Sequence, residues 1–446
     1  MNKFTPVLLF VLLSCLIIFS CFASFSTIIS STGTIRYNKM PWLHTDGMYI
    51  KNDENQTVHL TGVHWADLVD KAFFYYGPGV VNWRSDLAIR TGIVKEMGAN
   101  HIRYSIHLEK FFNPYSYTGD HEFDTYDDTM DAAVQELVKN ELYGYFCIHH
   151  GSSEADDFMR ALLDNSPWTF NALKYDGTIQ GTYYTPHVRD TWMLWCEQLA
   201  AHYVDTPNVF GFQIWAEPAW AGLERTAENY VTLFQEWWQF NLETAQAIHR
   251  GNPKAIVVVM SPGYYWTGYM TPNQWDGRNG EGYGPLPEPN IVYAVQKYES
   301  EDWRGGTWAQ KNYAQAYEDW YNGVGTLEQA RALQEQWYLD YCFTFAQEFQ
   351  VPIINTEMAY CDDMLWNYKD DVDWAWQTEQ AEGFYDIWAK YSQGWTQHRW
   401  QIGAEYPSGG SPWGFFVSMD DPDVGDYELA PSGQIMSQNF SPLPTP

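Results

Sequence analysis

Positive charge is scarce in this chain: 25 Lys plus Arg stand against 56 Asp plus Glu in 446 residues, a formal net charge of −31. A nucleic-acid backbone and an anionic membrane surface both require neutralising Lys and Arg, so neither is an expected partner. Phosphate-binding glycine turns are missing too. Gly280-Glu281-Gly282-Tyr283-Gly284 has the wrong spacing for one and reads as a loop, which leaves no nucleotide site. There is no C-x-x-C pair, no His-Glu-x-x-His and no Gly-x-Ser-x-Gly. These gaps speak against a zinc or redox cysteine site, a zinc protease helix and a serine-hydrolase elbow, and no metal or cofactor is expected. Of six cysteines, Cys15 and Cys21 fall in an N-terminal apolar run, and the pairing of Cys147, Cys196, Cys342 and Cys361 cannot be read. No internal repeat is visible.

Aromatic residues are what the chain has in excess, with 23 Trp, 32 Tyr and 24 Phe. Most must serve as core, but rings with a polar edge also suit neutral, amphipathic ligands, the partners such an acidic surface admits. Met1-Asn2-Lys3 is a short positive head before the apolar run Val7 to Phe22, and Cys21-Phe22-Ala23 offers small residues for cleavage. Residues 1–23 therefore read as a signal peptide, or as an uncleaved membrane anchor, and the protein is expected to be secreted or extracellular. At the other end, residues 441–446 (Ser-Pro-Leu-Pro-Thr-Pro) have the composition of a stiff linker, a route to cell-surface attachment. Residues 42–440 show no internal boundary and read as one domain.

Within that domain short β-rich runs alternate with helical patterns. Strands are expected at Val58–Trp65, His101–Ile106, Leu142–His149, Val209–Trp215, Ala255–Met260, Ile291–Val295, Pro352–Thr356 and roughly Gly394–Gln401. Helical stretches include Val188–Tyr203, Ala227–His249, Leu327–Phe349 and Trp374–Tyr391. Thr206-Pro207, Asn252-Pro253 and Val351-Pro352 each stop a helix just before an apolar strand, because proline disfavours helix in the residue preceding it. Apolar strands alternating with helices imply a parallel sheet covered by helices. With no phosphate turn after the first strand, a closed (β/α)8 TIM barrel is favoured over an open sheet. Trp42–Leu60 reads as an N-terminal β-hairpin plugging its lower mouth.

Reactive groups of such a barrel gather at the C-terminal strand ends. Those ends carry Arg103, His149, His150, Glu217, Tyr298, Glu357 and Trp400. Glu217 and Glu357 are carboxylates directly following apolar strands. A pair of carboxylates in an aromatic cleft suits glycoside hydrolysis, in which one protonates the leaving oxygen and the other attacks the anomeric carbon or activates water. The bland alternative is a pair of helix caps or loop carboxylates.

Taken together, Val58-His59-Leu60-Thr61-Gly62-Val63-His64-Trp65, Ile102-Arg103, Ile148-His149, Glu217-Pro218, Gln296-Lys297-Tyr298 and Ile354-Asn355-Thr356-Glu357 resemble, in order and spacing, glycoside hydrolase family 5, the cellulase family of clan A, over roughly residues 42–440. The resemblance implies a retaining, endo-acting β-glycosidase of the endoglucanase type, working on a β-1,4-linked polysaccharide such as cellulose. Mannan, or carbohydrate binding without cleavage, are the alternatives. It implies Glu217 as acid/base, Glu357 as nucleophile and Arg103 as the residue holding it. His149, His150, Gln296, Tyr298 and Trp400 become substrate contacts, with Trp395 an alternative for the last. Three positions depart from the family pattern: Ala216 replaces the Asn before the acid/base, Gln296 the His of His-x-Tyr, and Cys147 the Asp before the third-strand His.

Overall fold

The computed structural model describes residues 40–65, 83–107, 126–149, 155–173, 179–216, 227–260, 284–298, 311–359, 375–397, 416–421, 426–429, 437–441 and 443–444. The chain runs β1 (Leu43–Asp46), β2 (Tyr49–Asn52), β3 (Leu60–Trp65), α1 (Trp83–Glu96), β4 (His101–His107), α2 (Tyr126–Asn140), β5 (Tyr143–His149), α3 (Ala155–Asp164), β6 (Trp168–Leu173) and β7 (Ile179–Thr185). It continues with α4 (Val188–His202), β8 (Val209–Ala216), α5 (Ala227–Gly251), β9 (Ile256–Met260), β10 (Ile291–Tyr298), α6 (Lys311–Tyr321) and α7 (Leu327–Tyr338). A π-helical segment (Leu339–Phe343) leads to α8 (Thr344–Phe349), β11 (Ile353–Ala359), α9 (Ala375–Tyr391), β12 (Gly394–Gln397), β13 (Phe416–Asp421) and β14 (Asp426–Leu429).

Eight of these strands close into a barrel in the order β3-β4-β5-β8-β9-β10-β11-β12, every neighbouring pair parallel. This is the expected (β/α)8 TIM barrel. Strands such as Ile256-Val257-Val258-Val259-Met260 are buried on both faces, since one side packs into the barrel and the other against helices. The helices answer with stripes at helical spacing: Met130, Ala133, Val134 and Leu137 on α2, and Ala381, Phe384, Tyr385 and Trp388 on α9, all buried. Each fully buried large apolar side chain contributes roughly 1.5–3 kcal/mol. The proline junctions act as expected, with α4, α5 and α8 ending at His202, Gly251 and Phe349 before β8, β9 and β11.

The sequence reading ran Leu327–Phe349 as one helix, whereas the structure widens it into a π turn at Leu339–Phe343, where Thr344 Oγ1 donates to Leu339 O at 2.8 Å. Among the described residues, three two-stranded sheets lie outside the barrel: β1–β2, β6–β7 and β13–β14. The first is the expected N-terminal hairpin. Its Leu43 and Ile50, with Val58, pack on Tyr143, Phe210, Ile256, Val292 and Ile354 and seal the lower mouth. Ile50 N donates to Gln393 Oε1 (3.2 Å) and Tyr143 OH to Pro41 O (2.7 Å), fastening the plug.

The C-terminal residues close the same end. Phe440 stacks on Trp395 (5.3 Å), Ser441 N donates to Thr61 Oγ1 (2.7 Å), and Leu443 packs on the plug cluster. The segment read as a linker start is therefore still bound to the barrel at Leu443. Residues 1–23, read as a signal peptide or anchor, lie outside the described residues; among those described, no helix is long and apolar enough to cross a membrane.

Candidate active site

Strand alternation places His101, Arg103 and Ser105 on the inner face of β4, because Ile102, Tyr104 and Ile106 belong to the outer core. Glu357 reaches the interior differently. In β11, Ile353 and Met358 pack outward and Ile354 inward, so uninterrupted alternation would turn residue 357 outward. Pairing with β10 slips between Val295–Asn355 and Gln296–Glu357, leaving Thr356 as an extra residue that resets the phase and points Glu357 inward. Thr356 Oγ1 fixes the bulge by donating to Val295 O at 3.2 Å.

The two side chains meet inside the upper barrel. Arg103 Nη1 donates to Glu357 Oε1 at 2.6 Å, and both are buried, Arg103 at 0 % and Glu357 at 1 % exposure. A buried charge-assisted bond of this kind is stabilising only where the remaining donors are also met. Arg103 Nε donates to Gln213 Oε1 (3.0 Å), Nη2 to Cys147 Sγ (2.9 Å) and Nη1 also to His64 Nδ1 (3.1 Å). Nη1 lies almost as near His64 Nε2 (3.2 Å), and that nitrogen also meets Ser105 Oγ at 2.6 Å. Burial works against the Arg103 charge, but the groups around it, Glu357 by both its charge and its hydrogen bond, outweigh that, and its pKa is raised above the ordinary range.

Gln296 is the Cα partner of Glu357 across the β10–β11 ladder and is 5 % exposed. Among the described residues neither its Nε2 nor its Oε1 meets a hydrogen-bond partner. An orphaned buried amide costs roughly 1–3 kcal/mol, which calls for an explanation beyond packing.

Of the residues expected at the site, Arg103, Gln296 and Glu357 are brought together. His149 and Tyr298 are the last residues of β5 and β10, at the same barrel end, but their side chains lie outside the described residues. Glu217, His150 and Trp400 also lie outside them. Ala216 ends β8 with His149 as its Cα partner. Trp395, the alternative to Trp400, is 1 % exposed and packs outward on Tyr385 and Phe440. Trp215 is likewise core, against Phe158 and Trp192. The sequence reading did not select His64, Ser105 or Gln213. Their signal was present: His64 and Gln213 are polar residues inside largely apolar strands, Ser105 continues the polar alternation of His101 and Arg103, and a buried polar group needs partners.

A family model described as Cellulase (glycosyl hydrolase family 5) matches residues 81–404. No curated protein sequence matches the chain. Among solved structures, a β-glucanase from Saccharophagus degradans is similar with a TM-score of 0.55 at 16 % identity, over 92 % of this chain and 96 % of that one, and it has also been solved in complex with cellotetraose. The catalytic domain of an endoglucanase from Thermobifida fusca gives a TM-score of 0.50 at 15 % identity, covering 91 % of this chain and 98 % of that one. An endogalactoceramidase gives 0.54 at 14 % identity, over 90 % and 84 %. These structural likenesses concern the barrel. The family match spans well over half of the chain and contains Arg103, Glu217, Gln296 and Glu357, so the chain belongs to the cellulase family, glycosyl hydrolase family 5, and is an O-glycosyl hydrolase.

Proposed function

We propose that the protein is an exported, retaining endo-β-1,4-glucanase. Glu357 attacks the anomeric carbon to form a glycosyl-enzyme, while Glu217 protonates the leaving oxygen and then takes the proton from the water that releases the sugar. Arg103 supplies the counter-charge for Glu357 and orients it. The observation that carries this reading is the buried Glu357 carboxylate, turned into the upper barrel by a bulge and gripped by Arg103 at 2.6 Å. Cellotetraose bound to the similar Saccharophagus degradans β-glucanase supports a glucan over other β-glycans. Export rests on the positive head and apolar run of residues 1–23.

Ala216 favours a second reading. Alanine has no amide for the sugar's 2-hydroxyl, a contact that strengthens in the transition state, and a barrel that binds glycan without cutting it would tolerate that loss. Purified protein incubated with β-1,4-glucan and β-mannan oligosaccharides, with the product anomer followed by proton NMR, tests both readings. A first-formed β-anomer from glucan is expected. A first-formed α-anomer overturns retention. Oligosaccharide binding without hydrolysis, equal in wild type and Glu357→Gln, overturns the enzyme in favour of the binder.

A further inference from the structure

We propose that Cys147 is a positioning residue for Glu357, acting through Arg103; the inference rests on the reading of Glu357 as the nucleophile. The guanidinium is a rigid plane with five N–H donors and no acceptor. It meets acceptors from four strands: His64 on β3, Cys147 on β5, Gln213 on β8 and, across the barrel, Glu357 on β11. Gln213 holds Nε alone, about which the plane could still pivot. Holding Nη2 as well, through Cys147 Sγ at 2.9 Å, sets the direction in which Nη1 presents its hydrogen to Glu357.

The thiol suits this work because it accepts without carrying a carboxylate charge. Its Sγ lies 3.5 Å from Ile148 O, so the S–H donates there and a lone pair is left turned toward Arg103. An aspartate at this place would share the guanidinium charge with Glu357. Cys147 leaves that charge to the group that is to attack. Its link to the reacting carboxylate runs through Arg103 Nη2.

The test compares Cys147→Ala, Cys147→Ser and Cys147→Asp by kcat, KM and pH profile on one glucan oligosaccharide. Cys147→Ala is expected to lower kcat about 10–100-fold with KM within about twofold, since misplaced reacting groups cost turnover more than binding. Cys147→Ser, which keeps a donor and an acceptor, should recover most of the loss. Cys147→Asp should move the acid limb of the kcat profile to higher pH, because a second carboxylate competes for Arg103. An unchanged kcat and acid limb in both Ala and Asp variants, or a loss that merely follows the folded fraction, overturns the proposal. If Cys147→Asp does not fold, the Ala and Ser pair decides alone. Wild type inactive on every β-glycan overturns the functional reading instead. The positioning role is then judged by the carboxyl carbon NMR titration of Glu357 in wild type and Cys147→Ala, where identical curves sink it.

Discussion

The lower and upper halves of the barrel interior are built to different ends. Below, Tyr145, Phe210, Val258, Val292, Ala294 and Ile354 fill the space above the seal of Leu43 and Ile50. His101 Nε2 meets Thr396 Oγ1 at 2.9 Å, and Tyr145 OH the same hydroxyl at 3.2 Å. Gly62 is there because a side chain would collide with His101, whose carbonyl oxygen would lie 2.0 Å from a Cβ. Above, the lining turns to Arg103, Glu357, His64, Gln213 and Cys147, with an amide left unpaired at Gln296. Among the described residues, three of the four register slips in the barrel, at Val295/Gln296, Asn355/Met358 and Cys147/His149, also fall in this half. Regular pairing and a full apolar interior secure the fold below. Local rules are broken above, where polar groups must face a ligand.

Substitutions should therefore separate activity from stability according to height in the barrel. The largest effect belongs to Glu357→Gln. Turnover of a glucan oligosaccharide is expected to fall by about 10³-fold or more, while calorimetry shows oligosaccharide affinity within a few-fold of wild type. The amide still accepts from Arg103, but the buried guanidinium loses its countercharge, so the variant should also unfold at lower denaturant. Next comes Phe210→Ala in the lower half, where the ring packs on Tyr145 at 5.2 Å and Tyr143 at 6.1 Å. Urea unfolding should show a loss of about 3–5 kcal/mol. Activity per folded molecule should stay within about twofold, and a larger drop would mean that the two halves are not separable.

A smaller effect is pH-dependent. Burial holds the His101 imidazole at about 3, against an ordinary 6.5. The unfolded chain takes up a proton near pH 6.5 and the folded one does not until about 3, so stability is lost as pH falls through that window. The slope contributed is at most about 1.4 kcal/mol per pH unit. His59, also held low by burial, acts in the same direction. Urea midpoints of wild type and His101→Gln between about pH 4 and 7 should diverge in slope by close to one proton. Parallel curves would remove His101 as a source of acid sensitivity.

How much of this the sequence discloses follows from which forces are local. The barrel strands are legible because both-face burial leaves unbroken apolar runs such as Val257-Val258-Val259, and because prolines mark the junctions. The β6–β7 hairpin is not among the expected strands although Asp176-Gly177 separates its strands in the sequence, because it interrupts the strand–helix alternation of the barrel. The π turn at Leu339–Phe343 leaves no mark on a helical period. Arg103 and Glu357 could be named from their positions after or within apolar strands. That they touch depends on the bulge at Thr356, which is a property of pairing with β10 and is written in neither strand alone.

The finest probe of the comparison is Gln296, where stability and activity should move in opposite directions. Its amide is buried with both polar atoms unpaired among the described residues, beside Glu357 in the ladder. In the free protein that arrangement costs roughly 1–3 kcal/mol, and methionine, of similar length and without the amide, removes the cost. Gln296→Met should therefore raise the urea midpoint by an amount corresponding to about 1 kcal/mol. If the amide serves a sugar hydroxyl, the same change should lower kcat/KM on a glucan oligosaccharide by about 10–100-fold, because the hydroxyl then enters a dry site without a partner. A stabilised variant with unchanged kcat/KM would show that Gln296 does not face the glycan. A variant that loses both would show that the amide has a structural partner after all, and the upper half would then be built like the lower.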